Sequence, residues 1–293
     1  MYQFIKTKIP DFITVQAFVS VLHASRSDDS PGGGGESHAA WEFLHLEQGA
    51  LNVLVDGELY HLQPGQMILY PPHSFHSIAF SQNAVYNVVC FAASGNGLWE
   101  FSGNILTPRR QQLEMLSQII ALGKQQFVLP TKGTDIRGMS LRQDVQTWQL
   151  QKLSALLTLF LIDLYESDTS EQRFADPVPS NTHNYRKEQL KVLTEYLKSN
   201  LSCNLTLEQI STACSISVPS LHKLCRSQCG CGPITYFISL KLGAAKRLMQ
   251  ESSLNFSQIA AQLGFSSVHY FSRLFKAKTG MSPSEYARTV NHR

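Results

Sequence analysis

LNFSQIAAQLGFSSVHYFSRLFKAKTGMSPSEY, Leu254 to Tyr286, is the stretch from which the fold is read. Ile259 and Leu263 share one helical face, and Gly264 supplies a turn where positive φ is easily reached. A second helix after Ser266 buries Phe271, Leu274 and Phe275 and leaves His269, Ser272, Arg273 and Lys276 on its other face. Helix, tight turn, helix is the layout that frees a second helix to enter a DNA major groove.

The pattern occurs twice. Leu205-Thr206-Leu207-Glu208-Gln209-Ile210 returns 49 residues later as Leu254-Asn255-Phe256-Ser257-Gln258-Ile259. Leu221-His222-Lys223-Leu224-Cys225-Arg226 returns 50 residues later as Phe271-Ser272-Arg273-Leu274-Phe275-Lys276, and Gly230 and Pro233 match Gly280 and Pro283. The one-residue slip falls in the turn, where insertions are tolerated. In the first copy the free face carries Ser220, His222, Lys223 and Arg226. Arg and Lys suit guanine edges or phosphates, and His and Ser read either. One such unit is compatible with an ordinary helical bundle bearing solvated basic faces; two in tandem favour DNA.

Charge is divided in the same way. Residues 185–293 hold 14 Lys and Arg against 5 Asp and Glu, whereas residues 1–184 hold 11 against 17. A basic module joined to an acidic one suggests that only the C-terminal part meets a polyanion. With 43% hydrophobic and 16% charged residues, the composition is that of a globular protein and not of a disordered one. The longest apolar run, Leu153 to Leu164, is broken by Ser154, Thr158 and Asp163 and is shorter than the roughly 20 residues that span a bilayer. No charged-then-apolar leader follows Met1, so a cytoplasmic protein without membrane contact is expected. His222, Cys225, Cys229 and Cys231 crowd together without the usual C-x₂₋₄-C zinc spacing, and are expected as buried, reduced thiols rather than a metal centre.

The N-terminal part has strand periodicity. Ile13 to Val21 alternates, and strand-like runs follow at Trp41–Leu46, Ala50–Val55, Glu58–Leu62 and Met67–Tyr70, with Asp56-Gly57 and Pro64-Gly65 as turns. Asp28 to Ser37 is a Gly-rich loop. Short strands at this spacing point to a small barrel or jelly roll. From Pro108 the period becomes helical. A longer helix is expected from about Ser140 to Glu166, where Leu150, Leu153, Leu157, Phe160 and Leu164 form a seam for another helix, of this chain or of a second copy. Residues 167–184 have linker composition.

The stretch from Ile259 to Tyr286, with Gly264-Phe265, Tyr270 to Lys276 and Thr279-Gly280-Met281-Ser282-Pro283, resembles the signature of the AraC/XylS family of transcription regulators. That resemblance covers about 185–293. It implies seven helices, with Pro233 to about Glu251 linking the two reading heads across roughly 27 Å. The first head departs from the family pattern at Ser211, Ser215 and Cys225 and the linker at Lys241, and Gly243 weakens the linker helix by roughly 1 kcal/mol relative to Ala.

More loosely, the N-terminal part resembles a cupin-like sensor domain through Glu36-Ser37-His38, Trp41-Glu42, Leu62 to Gln66 and Pro71 to His76. Metal-binding cupins carry two histidines, a glutamate and a final histidine there; Glu36 replaces the first, leaving His38, Glu42 and His76. The expectation is a barrel without metal or other cofactor, binding a sugar or related metabolite through His38, Trp41, Glu42, Tyr70 and His76.

The expected architecture is α+β. A cupin-like barrel with a helical dimerisation segment (1–166) and a linker (167–184) precede an all-α, seven-helix domain with two helix-turn-helix motifs (185–293). The function it implies is sequence-specific, effector-responsive DNA binding without catalysis. The implied partners are a double-stranded operator, a small-molecule effector, a second copy of the chain and RNA polymerase. Two rivals remain: a metal-dependent cupin enzyme with a DNA-binding tail, and a barrel that only dimerises.

Overall fold

A computed structural model describes residues 7, 10–26, 34–80, 83–128, 139–170 and 183–291. Residues 28–33 of the Gly-rich loop and 171–182 of the expected linker lie outside that set.

Short alternating runs become strands because every second residue finds apolar partners. The strands are β1 (Thr14–Arg26), β2 (Trp41–Gln48), β3 (Leu51–Val55), β4 (Glu58–Leu62), β5 (Met67–Tyr70), β6 (His76–Phe80), β7 (Ala84–Ser94) and β8 (Ile105–Leu106). They form a five-stranded antiparallel sheet in the order β1-β7-β2-β5-β8 and a three-stranded one in the order β4-β3-β6. The sheets share a core of Leu44, Leu46, Leu51, Val53, Leu62, Ile68 and Tyr86. Asp56 and Gly57, at φ +47° and +91°, join β3 to β4 in a two-residue hairpin of the kind whose twist matches the strands.

The other face of the larger sheet, carrying Trp41, Phe43, Leu69 and Phe91, packs on helices α1 (Gly97–Phe101), α2 (Arg110–Gln126) and α3 (Thr147–Ser170). Helix α3 starts later than its periodicity suggests, because Ser140–Leu141 (β10) pair with Phe127–Val128 (β9). Its seam is intramolecular: Leu153, Leu157, Phe160, Leu161 and Leu164 are buried against the sheet and α2, while Leu150 is half-buried. The buried Gln112 amide ties the two helices by donating to the Asp163 carbonyl and the Ser167 hydroxyl, each at 2.8 Å.

Seven helices follow among the described residues: α4 (His183–Ser199), α5 (Leu207–Cys214), α6 (Val218–Cys229), α7 (Pro233–Glu251), α8 (Phe256–Gln262), α9 (Val268–Thr279) and α10 (Pro283–Asn291). The repeat extends to the caps. Thr206 with Gln209 and Asn255 with Gln258 form reciprocal capping boxes, Ser217 and Ser267 cap the reading helices, and Gly230 and Gly280 end them in the left-handed region.

The first turn differs from the second. Gly264 takes φ +64°, and a Cβ there would lie 1.9 Å from the Ser202 carbonyl oxygen. Its counterpart Ser215 adopts φ +54° at a cost that glycine avoids, and the Ser211 hydroxyl secures this turn by donating to the Ile216 carbonyl at 2.6 Å. Ser215→Gly should relieve about 1–2 kcal/mol of strain and lose about 0.5–1 to unfolded-chain entropy. A net gain below about 1.5 kcal/mol is expected, read as a small rise in Tm; a fall in Tm would show that Ser215 is unstrained.

Candidate nucleic-acid interface and barrel cluster

Helices α6 and α9 expose most of what their periodicity predicts, although Leu274, expected inside, is half-buried. On α6, Ser220, Lys223 and Arg226 are exposed and His222 is half-buried, with Leu221, Leu224 and Cys225 inside. On α9, His269, Arg273 and Lys276 are exposed and Ser272 is half-buried, over Phe271 and Phe275. Tyr270, 40% exposed, was missed by sequence reading; the Arg273 guanidinium lies 5.9 Å from its ring centre. An aromatic residue three positions before an exposed arginine was the available signal.

The heads are coupled through α7. Lys241 is buried, and its ammonium donates to the carbonyls of Cys203 (2.8 Å) and Leu263 (2.9 Å) between the faces of Phe237 and Phe265. Burial holds its pKa below the ordinary lysine value. Leu201 packs against the cores of both heads.

The small sheet docks on this module. Leu54 of β3 joins the core that contains Leu224, Tyr236 and Leu240. Gly243 is where the Asp56-Gly57 hairpin reaches α7: a Cβ on Gly243 would lie 2.0 Å from the Asp56 carbonyl oxygen. The Asp56 carboxylate accepts two 2.7 Å bonds from Lys246, whose side chain is only 6% exposed and also donates to the His73 carbonyl at 2.8 Å. Glu58 pairs with Lys198 and Arg247 at 3.0 and 3.7 Å. His73 Nδ1 hydrogen-bonds the Thr279 carbonyl at 2.7 Å, and the Ser77 hydroxyl donates to the Cys229 carbonyl at 2.6 Å.

Inside the barrel, His38, Glu42, Tyr70 and His76 converge. His38 Nε2 lies 3.2 Å from one Glu42 oxygen, and His76 Nε2 lies 3.7 Å from the other. Tyr70 stacks on the His76 ring at 4.7 Å. Cys90, from β7, adds a thiol 4.0 Å from His38 Nε2. Trp41 is placed elsewhere: strand alternation turns it to the opposite face, where its ring meets Trp99 at 4.6 Å. Burial opposes the charge on His38, but the Glu42 hydrogen bond and the carboxylates of Glu42 and Glu36 hold its pKa above the ordinary histidine value. Burial likewise opposes the Glu42 carboxylate, and His38 and His76 outweigh it and hold its pKa low. Burial, reinforced by Glu42, pushes the Cys90 thiol and the Tyr70 hydroxyl up.

One loop serves both places. Residues 71–76 end in His76 of the cluster and include His73, whose carbonyl receives Lys246. Between them Phe75 exchanges backbone bonds with Asp56, donating to its carboxylate at 3.0 Å and accepting from its amide at 2.8 Å.

Comparison with known proteins gives two family matches. Residues 210–289 match the model described as a helix-turn-helix domain, and residues 23–174 match that of an AraC-like ligand binding domain. The HTH-type transcriptional regulator YdiP of Escherichia coli (strain K12) is 24% identical over 249 residues, 84% of this chain and 78% of its own length. The HTH-type transcriptional activator RhaS of Escherichia coli O81 (strain ED1a) is 22% identical over 262 residues, 85% of each chain. The MmsAB operon regulatory protein of Pseudomonas aeruginosa is 31% identical over 98 residues, so the alignment spans only 32% of that relative.

Proposed function

The chain belongs to the AraC family of transcription regulators, and on that premise we propose that its barrel binds a small ligand and reports occupancy to both DNA-reading heads through residues 71–76. It is a DNA-binding regulator with an N-terminal ligand-binding domain; no described helix is long and apolar enough to cross a membrane. In this reading residues 1–166 sense, 167–184 link and 185–293 bind the operator, without catalysis, in line with relatives named as regulators.

The observation that carries the proposal is the shared loop. His76 sits in the buried cluster, Phe75 is bonded to Asp56, and Asp56 with the His73 carbonyl holds Lys246 of α7. A ligand that draws on His76 therefore acts on a strand of contacts ending at the helix between the heads. Occupancy shifts operator affinity only by its differential affinity for the docked and released states.

Two further partners complete the reading. A second copy is assigned to the outward face of α3, where Trp148 is 63% and Leu159 52% exposed, eleven residues and three helical turns apart. RNA polymerase is added on the family's role in transcription.

The test is operator binding by Arg273→Ala and Lys223→Ala across a panel of single-base operator variants. Each substitution should relax preference at a few base pairs, in two clusters about one helical turn apart, by about 1–3 kcal/mol. Lys223→Ala should have the smaller effect, because the first head lacks the glycine turn and the phenylalanine at Cys225. Losses of equal size on every sequence, with a salt slope lower by about one, would assign both side chains to phosphates.

A further inference from the structure

We propose that His73 and Ser77 are positioning residues for DNA reading: the barrel segment 73–78 ties together the C-terminal ends of α6 and α9 and so sets the interval at which an operator is read. This rests on the reading of both heads as base readers and adds what the barrel controls, the spacing between them.

The last carbonyls of a helix have no partner within it and are met from outside. Cys229 ends α6 and Thr279 ends α9, equivalent positions of the repeat at the offset of 50. Each receives a donor from the barrel. The Ser77 hydroxyl donates to the Cys229 carbonyl at 2.6 Å, and His73 Nδ1 meets the Thr279 carbonyl at 2.7 Å. A carbonyl only accepts, so Nδ1 carries the proton. The glycines that follow lie under the same segment: a Cβ on Gly230 would stand 2.6 Å from the Ile78 carbonyl oxygen, and one on Gly280 3.5 Å from His73 Nδ1. Beside these contacts, Asn52 Nδ2 donates to Gln228 of α6 at 3.3 Å, and the Lys278 ammonium of α9 lies 5.7 Å from the centre of the Phe75 ring. Two helix ends that the repeat makes alike are held by one stretch of the barrel.

That stretch is short and stiff. The chain from His73 to Ser77 spans at most roughly 14 Å. The His73 amide donates to the His38 carbonyl at 2.7 Å, Phe75 is bonded to Asp56, and His76 exchanges two 2.9 Å bonds with Glu36. Ser77 and Ile78 pair with Leu54 and Val53 of β3. Lys241 joins the heads at the Cys203 and Leu263 carbonyls, before α9 begins. The second tie, at the other end of this 12-residue helix of about 18 Å, holds the tilt of one reading helix against the other. His76, between His73 and Ser77, belongs to the barrel cluster, so an occupant of the barrel acts on the tie itself.

Full-length protein is tested on an operator selected from random oligonucleotides, and on versions with one base pair inserted or removed between the two clusters. The wild-type chain should bind the altered versions about tenfold or more weakly, a loss of the size that one mismatched base pair brings. In His73→Gly/Ser77→Ala, where glycine accepts the φ of +64° at position 73, that penalty should shrink at least about threefold, in keeping with two lost hydrogen bonds. Ser77→Ala alone, which removes one hydroxyl from a strand, should give a smaller reduction of the same kind. His73→Asn/Ser77→Thr keeps a donor at each place, and asparagine tolerates a positive φ, so this variant should restore the wild-type penalty. Equal losses of affinity on all three operators would show a merely structural role and overturn the proposal, as would failure of His73→Asn/Ser77→Thr to restore the penalty. A wild-type chain indifferent to spacing, while Arg273→Ala and Lys223→Ala relax two separate clusters, would overturn the tie and leave both heads as base readers. Relaxation at one cluster only would sink the two-head reading, and the tie with it.

Discussion

Leu157→Glu is expected to unfold the N-terminal half of the chain, and Leu159→Glu, two residues away on the same helix, to leave it folded and to separate the dimer proposed above. Leu157 is fully buried among Phe43, Leu116 and Leu161. Removing a buried leucine alone costs about 2–5 kcal/mol, and forcing a carboxylate into that space adds to it. The sum is comparable to the roughly 5–15 kcal/mol that stabilises a whole domain. Leu159 is half in water, so a carboxylate there costs the fold little and acts on the proposed contact between copies. Urea unfolding followed by circular dichroism checks the first variant, and sedimentation checks the second. A folded, monomeric Leu157→Glu would show that the seam lies between chains; a dimeric Leu159→Glu would move the dimer contact off α3.

Asp56→Ala should release the barrel from α7. The substitution leaves Lys246 nearly buried with only the His73 carbonyl, and removing one member of a buried ion pair typically costs about 3–5 kcal/mol. The cheapest relaxation is to withdraw the hairpin and let the ammonium reach water. Gly243→Ala should act in the same direction for another reason. It adds about 1 kcal/mol of helix propensity to α7, yet places a methyl 2.0 Å from the Asp56 carbonyl oxygen. Faster hydrogen exchange in α7 and loss of ligand-dependent operator binding are expected from both variants. The double variant Asp56→Ala/Lys246→Met should recover much of the stability lost by Asp56→Ala, since no charge is then stranded. Unchanged exchange and an intact ligand response in both single variants would remove the hairpin from the signalling route.

Local physics made much of this legible. Caps, left-handed glycines and apolar spacing repeat at nearly constant offset, so both heads and the Pro233–Glu251 helix stand where the sequence places them. Contacts between distant segments were not legible. Gly243 reads as a weak helix position until Asp56, far away in the chain, is seen against it. Cys90 lies in the run Val88-Val89-Cys90-Phe91 and reads as core, because alternation does not say which face is polar. The same ambiguity put Trp41 beside Glu42 in the expected pocket. The α3 seam predicts a partner without naming it, and the partner proves to be the chain's own sheet and α2.

Lys241 bears on information as well as stability. Its ammonium bridges the loop at Cys203 to the turn at Leu263, and Gly264 rests against the Ser202 carbonyl, so neither head swings independently of the other. If both heads read bases as proposed, an operator is an address with two words and a fixed gap. Inserting one base pair between the two clusters rotates one against the other by about 34° on B-form DNA, with roughly 10.5 base pairs to the turn, although every letter is kept. Two correct words at the wrong interval are a different address, and a rigid pair of heads extracts specificity from base pairs that it never touches.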